Sequence, residues 1–159
     1  MARLVVALML LASCSGAPGG PSMSSSMNGA PDPVPQSSPV VSADILSREP
    51  LANTASVKHI LIGWNDGQSH DPRAAKRTKK DAEDQIKALM SQIKAGGDFE
   101  ALMKQWSEDP GSAGSGRAYA VSPDVQLVIE FKQLGLRLKV GEVGVVQSDY
   151  GFHIMKRVE

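Results

Sequence analysis

Residues 128–156 read VIEFKQLGLRLKVGEVGVVQSDYGFHIMK, and this stretch decides the fold. Together with Leu127 just before it, Phe131 and Leu134 fall on one face at helical spacing, so the segment DVQLVIEFKQLGL predicts a helix. GEVGVVQSD and YGFHIMKRV then read as two strands, joined by a turn near Asp149 to Gly151. His153 stands inside the second of these, between apolar neighbours. Nearly a hundred residues upstream, SVKHILIGW (56–64) repeats that arrangement around His59: Val57, Ile60, Leu61 and Ile62 give it strand character.

Between these strands the chain is helical. Thr78 can cap a helix with Asp81 three residues on, a variant of the capping box. Ala82, Ile86, Leu89 and Ile93 make its apolar stripe, and the AGG at 95–97 ends it. Asp98 can cap a second, short helix carrying Phe99, Leu102, Met103 and Trp106. A polar loop, NDGQSHDPRAAKR, precedes the first helix, and EDPGSAGSG follows the second. RAYAVS reads as a further strand. The order strand, helix, helix, strand, helix, strand, strand is that of an α+β domain, an antiparallel sheet with helices packed on it. From Ala55 to Glu159 there are 105 residues, enough for one small core.

Composition excludes several functions. Lys plus Arg number 17 against 17 Asp plus Glu, so no bulk charge argues for nucleic acid. Aromatic content is 4%, too little for a stacking surface, and the single cysteine, Cys14, excludes a disulfide framework and a cysteine-built zinc site. His70 lies in a loop and no HxH or HxxxH spacing occurs, so no metal or cofactor is expected.

The N-terminus reads as a targeting segment. Arg3 is followed by an apolar run from Leu4 to Ala12 and small residues before Cys14, a secretory signal too short to span a bilayer as a mature helix. LASC (11–14) resembles the lipobox of bacterial lipoproteins, which implies cleavage after residue 13 and lipidation of Cys14. Several acyl chains would give stable anchoring. Ser15 in place of Asp leans the destination toward the outer membrane, facing the periplasm. Residues 15–41 are dominated by Ser, Pro and Gly and read as a flexible tether. Out to about residue 50 its r.m.s. reach is roughly 30–35 Å. SADILSREPLA (42–52) reads either as a short helix docked on the domain or as more linker. The expected organisation is therefore signal 1–13, lipidated cysteine and linker 14–54, and domain 55–159.

The domain resembles the parvulin (rotamase) family of peptidyl-prolyl cis-trans isomerases. KHILI is similar to that family's first strand with its first histidine. KAGGDFEALMKQWSEDPGSAGSG resembles its stretch of gly-x-x-phe, ser-x-asp and a small-residue loop. The opening stretch resembles its glu-phe helix, its GE, a strand ending in Thr or Ser, and aromatic-x-His-Ile. The resemblance covers 57–159 and implies a four-stranded antiparallel sheet. It places His59 and His153 side by side on central strands with Ser148 as the hydroxyl between them. A buried imidazole needs a partner for each ring nitrogen, so such a set can satisfy itself. Whether the pair tunes catalysis or only stabilises the sheet stays open.

By the same resemblance Asp109 lies beside the twisting carbonyl, while Leu127 and Phe131 line the proline pocket. Without it, Asp109 reads as a turn residue before Pro110 and the two apolar residues as core. Turning an X–Pro bond breaks no bond and needs no nucleophile or cofactor. A thousandfold gain asks for about 4 kcal/mol of transition-state preference. Some parvulins hold a phosphate on a basic loop, and RAAKRTKK (73–80) offers Arg73, Lys76, Arg77, Lys79 and Lys80 as candidate anion ligands. A solvated loop is the plainer reading. Many parvulins read gly-gly-asp-leu-gly where this chain has GSGRAYAV, with Gly116 kept and Arg117 replacing the acid. An extra residue also sits in SPDVQL. The expected partners are proline-containing unfolded or nascent exported polypeptides, met by a monomer. A non-catalytic peptide-binding chaperone and a structural envelope lipoprotein that docks another protein are the alternatives.

Overall fold

In the computed structural model, residues 38–159 are described. The expected signal, Cys14 and the upstream part of the linker lie outside the described residues. Four strands form one antiparallel sheet: β1 Ala55–Ile62, β2 Tyr119–Val121, β3 Val143–Ser148 and β4 Gly151–Arg157, in the order β2-β1-β4-β3. The two strands carrying the histidines are thus the central ones. Register pairs His59 with Met155 and Leu61 with His153. Alternation puts residues 59 and 61, and 153 and 155, on one face, so the two imidazoles are diagonal neighbours within side-chain reach.

Each face of the sheet has its own cover. Ile60, Ile62, Phe152 and Ile154 pack against α2 (Lys79–Lys94) and α3 (Phe99–Trp106). Val57, Val146 and Met155 pack against α4 (Ile129–Gly135) and α1 (Ala43–Leu46). Both predicted caps form. Thr78 Oγ1 accepts from Asp81 N–H at 3.2 Å while Asp81 accepts from Thr78 N–H at 3.0 Å, and Asp98 accepts from Ala101 N–H at 2.7 Å.

Two expectations change. Helix α4 begins at Ile129, two residues after Leu127, because Pro123 and Asp124 form a turn and the Leu127 N–H bonds to Val125 O instead of continuing a helix. The domain also starts earlier than residue 55. Ser38 Oγ donates to Glu83 at 2.6 Å, and Ser42 exchanges two bonds with Val145 of β3, at 2.9 Å each. Ile45 is buried, its tip set where Gly144 lacks a side chain and against Leu134 and Leu138. Arg48 pairs with Glu142, and Leu51 N–H donates to Leu136 O at 2.8 Å. Residues 38–54 form a strap docked on the domain: apolar residues at 40, 41 and 45 gain more by burial than a free linker would.

Candidate active site

The β3–β4 turn is tight because Gly151 takes φ +150°, where a Cβ would lie 2.5 Å from Ile62 O. That turn sets Ser148 beside His153. Ser148 Oγ lies 2.8 Å from His153 Nε2, His153 Nδ1 lies 3.2 Å from His59 Nδ1, and His59 Nε2 lies 3.1 Å from Asp109 Oδ2. An ionised carboxylate only accepts, so His59 Nε2 carries hydrogen. With His59 neutral its Nδ1 is bare, and His153 Nδ1–H donates to it. His153 Nε2 then accepts from Ser148, whose oxygen accepts from Tyr150 N–H at 3.2 Å. While His59 is neutral, every donor in this relay points toward Asp109; once protonated, His59 donates from both ring nitrogens and its charge acts on Asp109 and His153.

Asp109 reaches the relay because its loop is stitched to the end of β1. Glu108 N–H donates to Leu61 O at 2.9 Å, and Leu61 N–H donates to Ser107 Oγ at 3.1 Å. The fully buried Glu108 carboxylate accepts from Gly63 N–H and from Arg77, both at 2.7 Å. Ser112 and Tyr119 add their hydroxyls to Asp109 Oδ2 at 2.5 and 2.9 Å. Burial alone would raise the Asp109 carboxyl. The hydrogen bonds from His59 and Ser112, the His59 charge and the Tyr119 bond outweigh it and hold Asp109 well below the usual range. Burial and the Asp109 bond push Tyr119 up to about 12. His153 is pulled down to about 3, first by burial and then by the charge of His59, with Asp109 opposing.

These groups floor a cavity of about 650 Å³. Phe131 stands edge-on to both histidines, 5.0 Å from His59 and 5.5 Å from His153 between ring centres. Leu127, Val128 and Leu61 complete the apolar wall, with Gln68, His70, Asp71 and Gln126 on the polar side. His59, Asp109, His153, Leu127 and Phe131 therefore meet at one cavity, with Ser148 directly beneath.

The basic run behaves otherwise. None of Arg73, Lys76, Arg77, Lys79 and Lys80 lines the cavity. Arg77 is held by Glu108 and Gly63 O, and Arg73 by Asp71 and the carbonyl of Ser107. Lys79 lies over the Trp64 ring, Lys80 pairs with Asp84, and Lys76 is exposed. In this structure the two arginine candidates are thus engaged within the fold, each by a carboxylate and a backbone carbonyl. Sequence reasoning missed Tyr119, Ser112 and Glu108. The signal for Tyr119 was present in GSGRAYAV, the stretch that departs from the family pattern. Among the described residues, no group of three or more metal-ligating side chains is arranged to hold an ion.

Residues 44–159 match the PPIC-type PPIASE domain family. The chain belongs to the PpiC-type peptidyl-prolyl isomerase family. The chain is 32% identical over 130 residues to the foldase protein PrsA of Geobacillus kaustophilus, covering 77% of this chain and 46% of that protein. It is 31% identical over 101 residues to the chaperone SurA of Burkholderia thailandensis, covering 63% of this chain and 20% of that one. The chain thus spans less than half the length of the curated relatives it matches. Among solved structures, Bacillus cereus PrsA aligns with a TM-score of 0.51 at 30% identity, over 74% of this chain and 38% of that one. TbPIN1 aligns with a TM-score of 0.60 at 26% identity, over 69% of this chain and all of that one.

Proposed function

We propose that this chain catalyses cis-trans isomerisation of X–Pro bonds in unfolded or nascent exported polypeptides, from a lipid-anchored position in the bacterial envelope. The observation that carries the catalytic part is the Asp109 carboxylate, fixed beside an apolar cavity by His59, Ser112 and Tyr119. An X–Pro bond resists rotation because resonance puts positive charge on nitrogen and negative charge on oxygen in the planar form. A carboxylate held near that oxygen raises the planar form more than the twisted one, in which the charge separation is lost. Phe131 and Leu127 grip the proline ring while the carbonyl turns. Asp109 attacks nothing and transfers no proton: its low proton affinity suits it to act as a fixed charge.

Support for the anchor comes from the sequence, LASC ending at Cys14 followed by a Ser/Pro/Gly-rich segment, with Ser15 leaning it to the outer membrane. Client binding is supported by likeness to proteins named foldase and chaperone. The altered GSGRAYAV stretch favours one second reading, a parvulin-like module that binds clients without turning prolines over.

NMR exchange on Ala-Pro and Glu-Pro peptides tests the catalytic reading. Wild type is expected to accelerate exchange, with Glu-Pro no faster than Ala-Pro, and Asp109→Ala to lose most of the acceleration. Peptide shifts with no acceleration in wild type would sink the isomerase and leave the binding module. Labelled palmitate taken up by wild type but not by Cys14→Ala is the expected result for the anchor; equal label in both would overturn it.

A further inference from the structure

Tyr119 lies on the cavity wall, yet nothing in the family pattern asks for it. With Gly116 in the second place of gly-gly-asp-leu-gly and Arg117 in the third, Tyr119 falls where that pattern closes on glycine. Its ring stands edge-on to His59 at 5.2 Å and to Phe131 at 5.9 Å between centres. Pairing of Val57 with Tyr119 at the edge of the sheet fixes where that ring starts.

The hydroxyl is equally well placed. Asp109 Oδ2 receives three donors: His59 Nε2–H at 3.1 Å, Ser112 at 2.5 Å and Tyr119 at 2.9 Å. Among the described residues, Asp109 Oδ1 receives only the Gly111 N–H, at 3.3 Å. A carboxylate oxygen has about two lone-pair sites, so Oδ2 is filled while Oδ1 keeps open capacity. The loop has made room for this contact: a Cβ on Gly111 would lie 2.5 Å from the Tyr119 hydroxyl.

We infer that Tyr119 is a positioning and specificity residue of this isomerase. Its hydroxyl turns Asp109 so that Oδ1 faces the substrate carbonyl, and its ring completes the proline pocket beside Phe131. The inference rests on the isomerase reading of the site. The phenol keeps its proton throughout the working pH range, because burial and the carboxylate both disfavour its anion.

The test uses the full chain as wild type, Tyr119→Phe and Tyr119→Ala, with exchange kinetics on an Ala-Pro peptide and a 13C titration of the Asp109 carboxyl. The groups that set that titration are His59 on β1, Ser112 on the same loop and Tyr119 on β2, while Arg117 acts on Tyr119. His153 stands behind His59 on β4, and Glu108 is next in the chain. Tyr119→Phe keeps the ring. It is expected to lower kcat about tenfold at unchanged KM, and to move the Asp109 titration to higher pH, since a bond to a charged group is lost. Tyr119→Ala is expected to raise KM as well. Wild-type kcat and an unmoved titration in Tyr119→Phe would overturn the inference, as would an unchanged KM in Tyr119→Ala for the pocket wall. Absence of turnover in wild type would instead remove the isomerase reading. The Asp109 titration would still decide the hydroxyl's part, a moved one upholding it and an unmoved one overturning it.

Discussion

Lowering the pH from 7 to 5 should weaken this fold by about 2 kcal/mol, and His153 is the cause. In the unfolded chain a histidine takes its proton near pH 6.5. In the fold His153 is 5% exposed, and burial with the nearby His59 charge holds its proton affinity down to about 3. A depressed histidine favours its neutral form. The stability it contributes is complete above 6.5 and drains away as the pH falls toward 3. Within that window the unfolded state holds about one more proton than the fold, and stability drops by about 1.4 kcal/mol per pH unit. The assay is urea unfolding at the two pH values. With a slope of about 2 kcal/mol per molar, the midpoint should fall by about 1 M. His153→Gln, which lacks the titrating group, should show a smaller difference. Equal midpoints in wild type would refute the reasoning, as would 15N spectra in which folded His153 takes up its proton near pH 6.5.

Three further outcomes follow from the packing. Ile45→Ala should cost about 2–4 kcal/mol by thermal unfolding, because its side chain is buried against Leu134, Leu138 and Gly144; a silent change would mean that the strap is not part of the core. Arg77→Met should cost about 3–5 kcal/mol by urea unfolding, since it strands the buried Glu108 carboxylate. A solvated loop cation would show almost nothing. Gly151→Ala should destabilise by about 1–3 kcal/mol in the same assay, because its Cβ meets Ile62 O; an unaffected midpoint would contradict the geometry of the β3–β4 turn.

Much of this was legible in the chain because its local signals agree with its long-range ones. Thr78 with Asp81, and Asp98 before an apolar run, mark helix starts by chemistry that acts within three residues. The alternation around His59 and His153 placed both on strands, and the family resemblance set them side by side. Less legible was whatever depends on which polar group reaches a partner first. Arg73 and Arg77 look like free cations in RAAKRTKK; Asp71 reaches Arg73 locally, but only the fold brings Glu108 and distant backbone carbonyls to them. The strap was ambiguous for a similar reason. Its four-residue helix is too short to announce itself, and its order comes from a socket over Gly144 built a hundred residues downstream. Tyr119 escaped notice because its value lies in a hydroxyl whose acceptor sits ten residues earlier on a loop of no regular period.

The strap has one more effect. By exchanging two bonds with Val145, Ser42 occupies the outer edge of β3 midway along its length, and the opposite edge strand is only three residues long. A non-native polypeptide arriving at the cavity finds little free backbone with which to zip onto the sheet. On the proposed function, its hold on the domain would rest on side-chain grip around a proline. For the proposed role on unfolded polypeptides, the covered edge would keep the domain from becoming a template for their aggregation.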